Sequence, residues 1–393
     1  MSPAMRKEYL QAIRVRYKRS NKRGKGSILD EFCEVCEYDR KYAIRILNNS
    51  KRKSKKKPGP KPKYGLDVKE VIKCIWLKSE QICSKRLKSA ISLWLPYYEE
   101  EYGTITDELR EKVLSLSPAT IDRLLAPIRA KQKPKGLCGT KPGTLIRNQI
   151  PIRTNNWDIT CPGYLEADTV AHCGNSMAGD FVWSITFTDI YSGWTENRAI
   201  YNKGSKGVVD QVKDVEKSLV FPILGFDCDN GSEFLNYHLL GYFSNRKKPV
   251  GFTRSRPYRS NDNAHVEQKH WTHVRQLLGY DRFSDPKLVG IINSLYKEEW
   301  TLFQNFFCPS FKLLEKEKIN SKYRRVYEKP KTPYERLLAS NEINKETKEE
   351  LKRIFQGLNP FQLKKGIEKK LKKIFNIHRR SINESTNFFT KSV

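Results

Sequence analysis

The chain has no run of ~18 apolar residues, so no membrane-spanning helix is expected. Its N-terminal stretch, MSPAMRKEYLQAIRVRYKRS, carries cations but no apolar signal core, so a cytoplasmic protein is expected rather than a secreted one. Cysteine is sparse and odd in number, nine in 393 residues, which fits a reducing compartment better than a disulfide framework. The pair Cys33 and Cys36 has zinc-ligand spacing, but no second Cys or His pair follows at finger distance. Ile28, Leu29, Phe32, Cys33 and Cys36 share one helical stripe, so these thiols read as core residues. The chain is also short of acids: 44 Asp and Glu stand against 74 Lys and Arg, for a formal net charge of +30. That imbalance predicts a salt-dependent attraction to a polyanion, DNA or RNA, because each neutralised phosphate releases counterions.

The organisation is modular. Residues 1–50 read as three short helices, with Tyr9, Leu10, Ile13 and Tyr17, then Ile28, Leu29, Phe32 and Cys36, then Tyr42, Ala43, Ile46 and Leu47 turned inward. This leaves Arg40, Lys41 and Arg45 outward on the third helix, as in a helix-turn-helix unit that inserts its last helix into the major groove. Residues 51–64, KRKSKKKPGPKPKY, cannot form a packed core and read as a basic linker. The same stretch could lie as an extended arm along the minor groove, with Lys55, Lys61 and Lys63 on phosphates. Residues 65–130 form a second helical region, either another helix-turn-helix or a plain bundle. Its clearest helix is capped by Ser117, begins at Pro118 and carries Ile121, Leu124, Leu125 and Ile128. Residues 131–156, rich in Lys, Pro and Gly, read as a linker.

From Trp157 the periodicity changes. YLEADTV, DFVWSITFTDIYSG and TENRAIYN are β-type runs separated by turn residues, suggesting an antiparallel meander. A helix at Val208–Leu219, the strand ILGFDCD, a helix at Glu233–Phe243, the strand PVGFTRS and a helix at Asn263–Leu278 follow, giving a mixed α/β sheet. Residues 309–393 read as a basic, mainly helical region with a capping box at Thr332–Glu335. In it, Leu363, Ile367, Leu371, Ile374 and Phe375 form an inward stripe among lysines.

Three acids lie on separate elements of the α/β region. Asp168 falls in GYLEADTV, Asp229 closes ILGFDCD and precedes NGSEF, and Glu267 sits in the helical NDNAHVEQKHW. Phosphodiester attack needs one oxygen activated and another stabilised, and two divalent ions held by carboxylates do both. Mg2+ prefers hard oxygens and keeps part of its water, so a few acids suffice; Mn2+ can substitute. Asp168 would bridge the ions, with Asp229 on one and Glu267 on the other. Glu166 and Asp227 share strand faces with the two aspartates, but each lies earlier in its strand. Asp180, Asp189 and Asp262 read as turn or cap residues. His265, His270 and His273 are spaced so that they do not converge on one metal, which leaves phosphate contact or core packing for them. On an ideal helix Glu267, His270, Trp271, Val274 and Leu278 share the face turned to the sheet, while Lys269 and Arg275 point toward a phosphate backbone.

At these residues, from about Trp157 to Cys308, the chain resembles the retroviral-integrase-type catalytic core of bacterial insertion-sequence DDE transposases. The matching pieces are Asp168-Thr169 with its apolar strand, FTDIYSGW at 187–194, DNGSEF at 229–234 and RPYRSNDNAHVEQKHW at 256–271. The resemblance implies an RNase H-like core at residues 157–308 with the catalytic triad on Asp168, Asp229 and Glu267. It also implies a homo-oligomer assembled on paired DNA ends, associated with the bacterial nucleoid, and acting on terminal inverted repeats and target DNA. A structure-specific nuclease and a non-catalytic DNA-binding regulator are the competing expectations. The amino-terminal HHCC zinc domain of retroviral integrases has no counterpart in this sequence.

Overall fold

The structure is a computed structural model that describes residues 1–49, 63–130, 159–229, 231–255, 264–319 and 322–390. It divides into two compact units, Met1–Lys63 and Tyr64–Val393.

The first unit consists of α1 (Pro3–Arg19), α2 (Lys22–Cys36) and α3 (Arg40–Asn48). Each helix starts on a side-chain cap that satisfies an otherwise orphaned amide: Ser2 accepts from Met5, Asn21 from Gly24, and Asp39 from Lys41 and Tyr42. Ile13, Tyr17, Ile28, Leu29, Phe32, Cys36, Ala43 and Leu47 form the core, and Cys33 packs against it. Tyr42 departs from its expected inward position. Tyr38, in the turn before α3, fills that side of the core, with its ring 5.8 Å from Phe32. Tyr42 is left 39% exposed, with the Arg45 guanidinium 5.1 Å over its ring.

The second unit begins with α4 (Leu66–Lys78), α5 (Ser84–Tyr102), α6 (Asp107–Leu114) and α7 (Pro118–Arg129). Ser117 caps α7 through the Thr120 amide, with Pro118 in the first turn, as its sequence requires. These helices share one hydrophobic core with the α/β region. Trp94 of α5 is fully buried, and its indole N–H donates to the Phe307 carbonyl at 2.9 Å. Its ring lies 5.8 Å from Phe303 and 5.4 Å from Phe361. Residues 64–130 therefore serve as part of the scaffold of this unit.

The sheet has strands β1 (Tyr164–Ala171), β2 (Val182–Asp189), β3 (Thr195–Tyr201), β4 (Gly225–Cys228) and β5 (Gly251–Arg254), in the order β3-β2-β1-β4-β5. The first three make the expected antiparallel meander, and β4 and β5 run parallel to β1. Helix α8 (Ser205–Ser218) connects β3 to β4, and α9 (Tyr237–Ser244) connects β4 to β5. Phe226 of β4 packs on Phe243 of α9 at 4.9 Å and on Phe252 of β5 at 5.9 Å. A long helix packs against β1 and β2. It runs from α10 (Ala264–Lys269) through a π-helical stretch (His270–Arg275) into α11 (Gln276–Leu278).

A second long helix comprises α12 (Lys287–Ser294), a π-helical stretch (Leu295–Trp300) and α13 (Thr301–Phe307). The C-terminal region is not helical from its start. A hairpin of β6 (Leu313–Ile319) and β7 (Lys322–Tyr327) precedes α14 (Pro333–Ala339), α15 (Lys345–Gln356) and α16 (Pro360–Thr390). The capping box is formed, with Thr332 and Glu335 exchanging side-chain to backbone bonds. Ile367 and Ile374 of α16 are buried, as their stripe implies. Several α16 lysines pair with acids of this unit rather than face solvent alone: Lys364 with Glu80, Lys365 with Glu101, and Lys370 with Glu298 and Glu299. Among the described residues no helix is long and apolar enough to cross a membrane.

Candidate active site

Strand register brings the acids together. Glu166 of β1 lies beside Asp227 of β4, so Asp168 and Asp229, each two residues further on, come to the same end of the parallel pair. The Asp168 carboxyl is pushed well above its ordinary value, first by burial and then by the negative charges of Asp229, Glu233 and Glu267. Only the Thr169 amide, donating to Oδ1 at 2.6 Å, works the other way. Asp229 is raised to about 6 by burial and the Glu233 charge, against the Gly231 amide and the Lys203 ammonium. Glu267 is raised by partial burial. These shifts describe carboxylates raised first by burial, with like charges adding to the effect at Asp168 and Asp229.

Two residues of the cluster were not anticipated. Glu233 is 2% exposed, accepts from Thr169 Oγ1 at 2.9 Å and pairs with Lys203 Nζ at 2.6 Å. It lies four residues beyond Asp229 within DNGSEF, and that closeness in sequence to Asp229 was the available signal. Lys203 sits in the loop before α8 and carried no motif.

The neighbouring acids have structural duties. Glu166 is 1% exposed, and its Oε2 accepts the His265 and Val266 amides at 2.9 and 3.0 Å, holding the first turn of α10. Burial lifts its carboxyl to about 8, with the Asp227 charge adding to the effect. Asp227 accepts from Thr253 Oγ1. Asp189 is the expected turn residue: it accepts from Gly163 and Ser192 amides at 2.8 and 2.7 Å. Asp262 lies outside the described residues.

The glutamate helix is phased differently from an ideal α-helix. Glu267 and Trp271 are exposed, while Val266, His273, Val274, Arg275, Leu277 and Leu278 are buried. The π-helical stretch inserts wider turns after Lys269 and breaks the 3.6-residue period that would have put Glu267 and Trp271 inward together. Glu267 is instead exposed, and its negative charge adds to the upward shift at Asp168. His270 Nε2 lies 3.5 Å from Asp168 Oδ2. Burial and the Arg275 charge lower that imidazole to about 4, so it is neutral at pH 7.

Arg275 is not a phosphate-facing residue. Its guanidinium is buried, donates to the Ala171 carbonyl at 2.9 Å and lies 4.6 Å over the Tyr280 ring. Lys269 is half-buried in a basic cavity, and burial with repulsion from Arg86 and Arg336 lowers its ammonium to about 7. In the first unit Arg40 pairs with Asp30, while Lys41 and Arg45 are exposed on α3. Lys63 is exposed; Lys55 and Lys61 lie outside the described residues.

Among the described residues no group of three or more His, Cys, Asp or Glu side chains is placed to hold a metal ion. The donors present are hard carboxylate oxygens whose mutual repulsion a cation would relieve. Pairs of them suit Mg2+, which takes one or two protein carboxylates and completes its shell with water and substrate phosphate.

No protein-family profile matches the chain. It is 38% identical over 339 residues to the uncharacterized protein y4rM of Sinorhizobium fredii (strain NBRC 101917 / NGR234), covering 86% of this chain and 96% of that one. The chain belongs to the y4rM family. The chain is also similar to solved structures at low identity. The catalytic core domain of BIV integrase matches with a TM-score of 0.29 and 15% identity over 44% of this chain and 91% of its own. The HTLV-2 integrase catalytic core domain in complex with magnesium matches with a TM-score of 0.28 and 14% identity, over 38% and 90%. A simian T-cell lymphotropic virus intasome, in complex with the PP2A regulatory subunit B56 gamma, matches with a TM-score of 0.27 and 13% identity, over 46% and 58%.

Proposed function

We propose that this protein is a DDE-type DNA transposase with an RNase H-like catalytic core. It binds terminal inverted repeats, hydrolyses a strand at each element end and joins the freed 3′-hydroxyls to target DNA. The observation that supports the reading is that Asp168 and Asp229 lie at the same end of the paired strands β1 and β4, with the Glu267 charge acting on Asp168, in a chain of net charge +30. A five-stranded sheet with a three-stranded antiparallel meander continued by two parallel strands supports the RNase H-like assignment. Asp168, Asp229 and Glu267 would hold the divalent ions, and Mg2+ or Mn2+ would be the cofactor. When bound, the divalent ions supply Lewis-acid stabilisation of the attacking and leaving oxygens. Lys203 restrains Glu233 beside them, and neutral His270 backs Asp168 without competing for the phosphate charge. Exposed Lys41 and Arg45 of α3 read the repeat, and the basic segment 51–64 adds affinity for any DNA. Two ends must be processed together, so the active form is a homo-oligomer assembled on DNA.

The test is to incubate pure protein with labelled terminal-repeat DNA, a target plasmid and Mg2+. Joined strands are the expected product. Nicks without joining would make it a nuclease, and shifted but uncut DNA would make it a regulator.

A further inference from the structure

On another flank of α10, away from the contact between His270 and Asp168, is a cavity of about 840 Å³. It falls within the ~300–1,000 Å³ range of ligand sites. Its walls carry Lys85, Arg86, Lys269, Lys312, Arg325 and Arg336, against the single carboxylate of Glu328. That carboxylate is already engaged by Arg336 Nε. Backbone carbonyls fix two of the other cations without neutralising them: Arg86 donates to Pro309, and Lys312 to Tyr191 at 2.8 Å. Among the described residues none pairs with the Lys269 ammonium. The cavity is thus a preformed concentration of cationic side chains.

Its rim adds a second feature. Phe311 and Tyr327 line the cavity with 38% and 51% of their surface exposed, and their rings meet edge to face at 5.8 Å. Cations that track phosphates beside exposed aromatic faces are the composition that holds unpaired nucleotides, because any base can stack on a ring. A duplex cannot use those faces, since its bases already stack on one another.

We propose that this cavity binds a single-stranded segment of DNA, with phosphates on the lysine and arginine cluster and bases on Phe311 and Tyr327. The inference rests on the DNA reading above but not on the chemistry of the acids. It assigns the strand that departs from the acid site to the other side of the glutamate helix.

The test uses full-length Asp168→Asn protein, so that loss of cleavage and loss of strand binding are read separately. Labelled oligothymidylate of about ten nucleotides and a duplex of the same length are titrated by fluorescence anisotropy. Phe311→Ala combined with Tyr327→Ala should weaken single-strand binding about tenfold and change duplex binding by about twofold at most. Lys85→Ala with Lys269→Ala should weaken single-strand binding and flatten its salt dependence. A photoreactive thymine in the oligonucleotide should cross-link to Phe311 or Tyr327. Equal losses on strand and duplex, no loss on the strand, or cross-links confined elsewhere would overturn the proposal. So would lysine-dependent binding of inorganic tripolyphosphate without any effect of the aromatic pair on the oligonucleotide, which would make this a site for free polyphosphate.

Discussion

Lys203 Nζ sits 2.6 Å from Glu233 Oε1, and the pair sets the charge balance around Asp229. The lysine lowers the Asp229 carboxyl, and the Glu233 charge raises it. The two substitutions should therefore shift Mg2+ binding in opposite directions. Metal binding competes with protons for Asp229, so affinity should rise as pH rises through about 6. Lys203→Met should move that rise to higher pH, and Glu233→Gln to lower pH. Calorimetric Mg2+ titrations from about pH 5 to about pH 8 check both. Shifts in the same direction would remove the pair from the site.

Asp168→Asn, Asp229→Asn and Glu267→Gln should each reduce cleavage and joining by more than about a hundredfold, since each deletes a metal ligand. Folding and repeat binding should survive, as judged by circular dichroism and gel shift. Activity retained in any one of them would exclude that acid. Glu166 is then a poor replacement, because its carboxyl is committed to the α10 amides.

Glu166 also makes a prediction about stability. Its folded value of about 8 lies above the ordinary 4.5, so between those values the folded protein keeps a proton that the unfolded chain releases. Stability from this group is complete below about 4.5 and is lost as pH rises toward about 8. Glu166→Gln can still accept the two amides and cannot ionise. Its melting temperature relative to the wild type should climb from about pH 5 to about pH 8, by the equivalent of a few kcal/mol on the order of the shift. A difference independent of pH would mean that Glu166 does not hold its proton.

Trp94→Ala should cost ~3–5 kcal/mol, as expected for emptying a fully buried aromatic site. A fragment ending at residue 130 would lose Phe303, Phe307 and Phe361 from the same site, so it should aggregate where a fragment of residues 1–63 stays folded. Cooperative melting of the 1–130 fragment with both units native would refute this.

In the first unit, Arg45→Ala and Lys41→Ala should reduce discrimination between cognate and scrambled repeats, by ~1–3 kcal/mol for a bidentate base contact. Arg40→Ala should matter less, because Asp30 already occupies that guanidinium. Replacing lysines 55, 61 and 63 should weaken binding to all DNA and flatten its salt dependence. Competition gel shifts showing the reverse pattern would exchange the roles of helix and linker.

The strand meander and the positions of Asp168 and Asp229 were legible because β periodicity and the turn residues after each run are local signals. Glu267 was legible as a helical residue but its exposure was not: the π-helical turns at His270–Arg275 depend on how the helix packs, and no residue type marks them. Arg275 misled for the same reason, since an arginine on a helix is ordinarily a surface residue, and here the Ala171 carbonyl draws it inward. The β6–β7 hairpin was hidden by its charge. Leu314 and Ile319 are 62% and 46% exposed, so neither face shows the apolar alternation of a half-buried strand. The integration of residues 64–130 with the α/β region was invisible because Trp94 meets its partners across more than two hundred positions of sequence.

The wide turns after Lys269 give the two halves of that helix separate rotational settings. The forward half can aim its carboxylate while Val274, Leu277 and Leu278 stay seated in the core. Removing one residue from 270–275 would let the wide turn close to an ordinary α-helical one, because a π-turn holds one residue more than an α-turn. Such a deletion would keep every acid in the chain and the forward half in phase with its anchor, whereas the same deletion in the α-helical turn at 264–269 has no wide turn to absorb it.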